Sequence, residues 1–132
     1  MNGGRRASIE PTESPVIREL PCLDARERAD LARVVAVLVE TFEPERVYLY
    51  GSQARRTGGP DSDVDLLVVA AETGDFPHHL DQAAYRAVGH HLLPLDIMFI
   101  SRDEFDWRSG VAASLPATVL REGRLLYAAP ST

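Results

Sequence analysis

The chain contains no lysine. All 14 of its positive side chains are arginine, which reads as a coding bias and not as a phosphate signal. A single cysteine, Cys22, excludes an internal disulfide and fits a reducing compartment, so a cytoplasmic location is the expectation. No apolar run approaches the roughly eighteen residues that a spanning helix needs, which removes the membrane from the expected partners. Arg5-Arg6 is not followed by an apolar stretch, so a secretion signal is not expected. Positive charge is not in excess either. The formal net charge of −6 argues against a protein that coats nucleic acid nonspecifically, and no stable nucleic-acid binding is expected. A nucleotide substrate stays open, because a metal ion and a few arginines can balance phosphate charge locally. Internal repeats and low-complexity segments are missing as well.

What is present suits one soluble domain. A length of 132 residues allows a modest core, and 45% hydrophobic with 26% charged residues is an ordinary globular composition. Residues 1–21 carry Gly3, Gly4, Pro11, Pro15 and Pro21 among polar residues and are expected to form a flexible arm. Residues 22–132 are then the domain. Asp24 with Glu27 forms a capping-box pair, and Leu31, Val34, Val35, Leu38, Val39 and Phe42 follow at helical spacing up to Pro44. Short strands are predicted at 46–50, 64–70 and 95–100. A brief helix is predicted at about 52–57, a longer one at 75–93 ended by Pro94, one opened by Ser101 with Glu104, and one at 116–122 with Gly123 in its C′ position. Residues 124–127 read as a last strand. Helices alternate with strands, so an α/β (α+β) layout of a small sheet flanked by helices is expected.

One stretch carries chemistry: Tyr50-GSQARRTGGPDSDVDLLVV-Ala70. Gly51 and Ser52 form a turn leading toward a helix, where unpaired N–H groups and the helix dipole favour an anion. Gly51 lets phosphate approach the backbone, and the Ser52 hydroxyl adds a hydrogen-bond donor. Arg55 and Arg56 follow within reach of a triphosphate tail. After Ser52 and ten intervening residues stand Asp63 and Asp65, two apart at the start of an apolar strand, and alternate strand residues share a face. Two acids on one face are costly unless a cation neutralises them, and Mg²⁺ is the hard cation that binds carboxylates while keeping positions for phosphate oxygens. The third strand, Leu95-Asp-Ile-Met-Phe-Ile, adds Asp96. If that strand lies beside residues 64–70, three carboxylates converge. Such a set can hold metal against a triphosphate and activate an attacking hydroxyl, with Asp96 as general base or second-metal ligand.

These residues resemble a known family. GSQA, the ten-residue spacing, SDVDLLVV, LDIMFIS and the ending LREGRLLYA are similar to the minimal nucleotidyltransferases of the DNA polymerase beta-like superfamily, over roughly residues 30–128. The resemblance implies the nucleotidyltransferase fold, with a small mixed β-sheet. It implies that Gly51 and Ser52 hold the triphosphate of ATP, that Asp63 and Asp65 bind Mg²⁺, and that Asp96 completes the triad. Short members of that family pair with a HEPN-domain ribonuclease toxin, and some transfer AMP onto a tyrosine of it. The resemblance therefore implies an antitoxin in a hetero-oligomer with such a partner. The usual Arg-Ala-Arg-Gly after the serine is here Gln53-Ala54-Arg55-Arg56, a departure at the phosphate end.

Two other functions compete. The chain could neutralise its partner by occlusion, with no catalysis, or modify a small molecule such as an aminoglycoside. The latter ranks low because larger relatives of that kind carry a further helical domain. The pairs His78-His79 and His90-His91 read as surface histidines and not as metal ligands. Phe105 and Trp107 read as core or partner contacts, and Tyr50 as a strand residue near enough to the turn to touch a nucleotide.

Overall fold

The computed structural model describes residues 15–20, 23–51, 63–74 and 77–130. Five helices and four strands occupy them: α1 (Pro15–Arg18), α2 (Ala25–Phe42), β1 (Arg46–Tyr50), β2 (Val64–Ala70), α3 (Pro77–Val88), β3 (Leu95–Ser101), α4 (Arg102–Arg108), α5 (Leu115–Glu122) and β4 (Arg124–Ala128). The strands form one mixed sheet in the order β3-β2-β1-β4. β1 runs antiparallel to both of its neighbours, whereas β2 and β3 are parallel, with α3 as the crossover between them. This is the expected mixed sheet flanked by helices.

The longest helix starts where the sequence says it should. The Asp24 carboxylate accepts from the Glu27 amide at 2.8 Å, and the Glu27 carboxylate accepts from the Asp24 amide at 2.9 Å. Both orphan donors at the helix start are thereby satisfied. Leu31, Val34, Val35, Leu38 and Val39 make its buried stripe. At its far end Glu43 adopts a left-handed conformation (φ 50°) as it closes the helix onto Val39.

Strand alternation splits the packing between the two sheet faces. Val47, Leu49, Val64, Leu66, Val68, Ile97 and Phe99 point to one face, where α1, α2 and α3 cover them in the main core. Tyr48, Leu67, Val69 and Ile100 point to the other face, where Phe105 of α4 and Val119 of α5 close a smaller cluster. The Phe105 ring stacks on Tyr48 with centroids 5.5 Å apart, and the Arg46 guanidinium sits 4.8 Å from the Phe105 centroid. This smaller cluster covers only part of its face.

Three expectations need correction. Of the arm expected over 1–21, residues 1–14 and 21 lie outside the described ones, but Pro15–Arg18 is helical, and Ile17 and Leu20 are 2% and 0% exposed, so packed structure begins ahead of residue 22. Apolar Val16, Ile17 and Leu20 can pay the ordering entropy that the surrounding polar residues cannot. The helix expected over 75–93 ends at Val88 (residues 75–76 lie outside the described ones). Gly89 takes φ 68° and donates to Tyr85 O at 3.0 Å, a left-handed stop that wins over the later Pro94. α2 then holds the turn beyond it. Arg33 donates to Val88 O at 3.0 Å and His90 O at 2.7 Å, and Asp30 accepts from the Leu92 amide at 2.8 Å. Gly123 does follow its helix, but with φ −81° and not in a left-handed turn. A side chain there would sit 2.7 Å from Val119 O and 2.9 Å from Leu49 O, so close backbone approach is what demands glycine.

β3 is an edge strand, and α3 occupies its backbone. The Ile97 amide donates to the Tyr85 hydroxyl at 2.8 Å, the Tyr85 hydroxyl donates to Leu95 O at 3.3 Å, and the Phe99 amide donates to Asp81 Oδ1 at 3.0 Å.

Candidate active site

The part of the second sheet face that no described helix covers is where the predicted acids meet. Parallel pairing puts Asp65 directly opposite Asp96, and antiparallel pairing puts Tyr50 opposite Asp65. One row across the sheet therefore reads Asp96, Asp65, Tyr50, with the Gly51 turn continuing from Tyr50. Asp63 stands just before β2, exposed, two residues from Asp65. The next row along the strands holds Met98, Leu67 and Tyr48. Beyond it α4 and α5 close over the sheet. The acids thus lie at the open margin of a packed face: held by a rigid sheet, yet accessible.

Gly51 explains itself in this geometry. Its φ is 81°, which side chains with a Cβ rarely adopt, and a Cβ there would collide with Asp65 Oδ2. The turn and the carboxylate are packed against one another, so the glycine both makes the turn and leaves space for the acid.

Electrostatics agree with the crowding. Burial, then the charge of Asp96, then that of Asp63 push the Asp65 carboxyl above its ordinary value. Tyr50 is pushed up to about 12, first by burial and then by Asp65, Asp96 and Tyr85, so its hydroxyl keeps its proton. That hydroxyl donates to Met98 Sδ at 3.6 Å.

Of the residues predicted from sequence, the structure gathers Asp65 and Asp96 side by side, Asp63 within electrostatic reach, and Gly51 against Asp65. Ser52, Gln53, Arg55 and Arg56, and the brief helix expected at 52–57, lie outside the described residues. Among the described residues no three His, Cys, Asp or Glu side chains are gathered closely enough to enclose a metal ion. The donor set nevertheless fits a hard cation: it consists of carboxylate oxygens, and mutual repulsion at Asp65 is what a bound cation would relieve. Asp65, with Asp63 or Asp96, would hold such an ion, leaving further positions for substrate oxygens. His91 Nδ1 lies 2.6 Å from Leu93 O, and the His90 carbonyl accepts from Arg33. Phe105 is core, as expected of one of the pair, and Trp107 is 72% exposed. Met98 escaped the sequence reading. Its signal was the strand period: two residues after Asp96, it shares the acids' face.

No helix among the described residues is long and apolar enough to cross a membrane. No match is found among curated proteins. Among solved structures, the chain is similar to one from a crystal structure of a toxin-antitoxin with AMP-PNP, at 22% identity and a TM-score of 0.49 over 74% of this chain and 72% of that one. The family described as "Polymerase beta, Nucleotidyltransferase" matches residues 33–130. That match runs from within α2 past the end of β4 and takes in the Gly51 turn and all three carboxylates, so the chain belongs to the polymerase beta nucleotidyltransferase family.

Proposed function

We propose that this chain transfers AMP from ATP to a hydroxyl, a tyrosine hydroxyl by the motif resemblance, of a HEPN-domain ribonuclease toxin, and that it acts as antitoxin in complex with that partner. The observation that carries the reading is the row of Asp96 and Asp65, in register on an open sheet face, with the Gly51 turn packed against Asp65. An anion-accepting turn at one end of a row of acids suits a triphosphate whose reacting phosphorus lies over the acids.

In this reading Gly51, with Ser52, holds the β- and γ-phosphates through backbone N–H groups and the hydroxyl. Arg55 and Arg56 reach the same oxygens. Asp63 and Asp65 would hold Mg²⁺, which would screen phosphate charge and favour the ionised acceptor. The acceptor oxygen forms a bond to the α-phosphorus as the bond to the bridging β-oxygen breaks, and pyrophosphate leaves in line. The Asp96 carboxylate, on the edge strand and exposed, takes the acceptor's proton. Tyr50, which retains its own proton, is a hydrogen-bond donor beside this row and not the nucleophile.

The test is transfer of label. The purified chain, its HEPN-domain partner, Mg²⁺ and α-labelled ATP should yield label on the partner, and Asp63→Asn with Asp65→Asn should abolish it. Absence of label on a partner that demonstrably binds would refute catalysis. A double variant that still protects cells from the partner would favour neutralisation by occlusion.

A further inference from the structure

We infer that Met98 and Tyr50 form the seat for the acceptor, and that the seat is shaped for a hydroxyl carried on an aromatic ring. The inference rests on the transferase reading and extends it to the group that receives the nucleotide.

The order of residues across the sheet gives the row a direction. Its β1 end carries the Gly51 turn, where phosphate is expected, and Asp65 on β2 is in the middle. Asp96 on the edge strand β3 is the far end. The leaving pyrophosphate belongs at the first end, so an in-line acceptor enters from the last. Next to Asp96 on the same face of β3 is Met98, about 6.6 Å further along at the usual rise of a strand. A phenol whose hydroxyl meets the Asp96 carboxylate carries its ring away from it, and along β3 the next side chain on that face is Met98.

The surface at that point is apolar where a purely catalytic margin would be polar. Met98 is 39% exposed although Ile97, Phe99 and Ile100 of the same strand are buried. The Tyr50 side chain packs against the smaller core cluster, and its hydroxyl reaches across to Met98 Sδ at 3.6 Å. Leu67, between Met98 and Tyr48 in the adjoining row, is 1% exposed. The result is a ledge of ring and thioether, bordered by Asp65 and Asp96 on one side and by the α4–α5 packing on the other. Thioether sulfur makes favourable contacts with aromatic rings. A polyhydroxylated sugar would leave this ledge dry and unmatched, and a serine hydroxyl would leave it uncovered.

The chain has two methionines, Met1 and Met98, so methyl labelling of methionine reads this ledge directly. Protein carrying ¹³C-methyl methionine is saturated with Mg²⁺ and α,β-methylene-ATP, then titrated with N-acetyl-tyrosinamide or N-acetyl-serinamide. The Met98 methyl should move upfield with the tyrosine probe and stay in place with the serine probe, while Met1 does not respond. Met98→Ala should raise KM for N-acetyl-tyrosinamide by roughly two- to tenfold and leave nucleotide affinity by calorimetry unchanged. If the nucleotide alone moves the Met98 methyl and the tyrosine probe adds nothing, the ledge holds the base and the inference is overturned. Silence with both, while calorimetry shows nucleotide bound, overturns it as well. Failure of the nucleotide to bind at all would instead remove the transferase reading, and this inference with it.

Discussion

Gly51→Ala isolates the contact on which the site is built. The substitution asks alanine to adopt φ 81° and places a methyl on the Asp65 carboxylate. The backbone part costs about 1–2 kcal/mol, the usual penalty of a left-handed residue with a Cβ. The clash is with the far end of a short side chain, which yields by rotation, so it adds only about 0.5–1.5 kcal/mol of rotamer strain. A total of about 1.5–3.5 kcal/mol is therefore expected in urea denaturation. In an Asp65→Ala background the carboxylate is gone and only the backbone part remains. The cycle should thus show a coupling of about 0.5–1.5 kcal/mol. The functional loss should be larger than the loss of stability. A carboxylate turned away by about an ångström from where the phosphorus is held costs on the order of a hundredfold in transfer. Equal destabilisation in both backgrounds would refute the contact. Wild-type transfer by Gly51→Ala would refute the claim that Asp65 must stand where it does.

Asp65 also predicts a pH dependence. Its folded value is raised, so the folded state keeps the proton longer than the unfolded chain does. The associated stability is present below the ordinary carboxylate range and lost as pH rises through the raised value. Asp65→Asn should therefore be more stable than wild type near neutrality and lose that advantage in acid; Mg²⁺ should stabilise wild type near neutrality more than it does the variant, as read by urea midpoints with and without the ion. Phe105→Ala removes a ring that is 1% exposed and stacked on Tyr48, and should cost about 3–5 kcal/mol by urea denaturation.

Much of this architecture was legible because each local signal pointed the same way. The Asp24–Glu27 capping box, the stripe from Leu31 to Phe42 and the apolar run 64–70 each had one reading, and the observed elements follow them closely. The carboxylate row was legible as well, because period-two spacing puts Asp63 and Asp65 on one face, and a parallel neighbour strand brings Asp96 to it. What was not legible depends on the third dimension. Proline at 94 looked like the end of a helix that Gly89 had already ended. A sparse set of apolar residues, Val16, Ile17 and Leu20, looked like part of an arm until the sheet and α2 supplied a core for them. Gly123 looked conformational and proved to be steric. Met98 had no signal of its own, since its exposure follows from where α4 and α5 stop covering the sheet.

The hydrogen bonds that α3 sends to β3 restrict how another protein can come to the acids. An exposed strand edge ordinarily invites a partner to add a strand of its own. Here the Ile97 and Phe99 amides are already spent on Tyr85 and Asp81. The acid-bearing strand is thereby sealed against extension at these positions, and a visitor must come down onto the face instead of alongside it. A partner that reaches Asp96 has to present its hydroxyl on something that protrudes, such as a loop tip, a terminus or a helix end, because a flat strand laid alongside finds the Ile97 and Phe99 amides already taken.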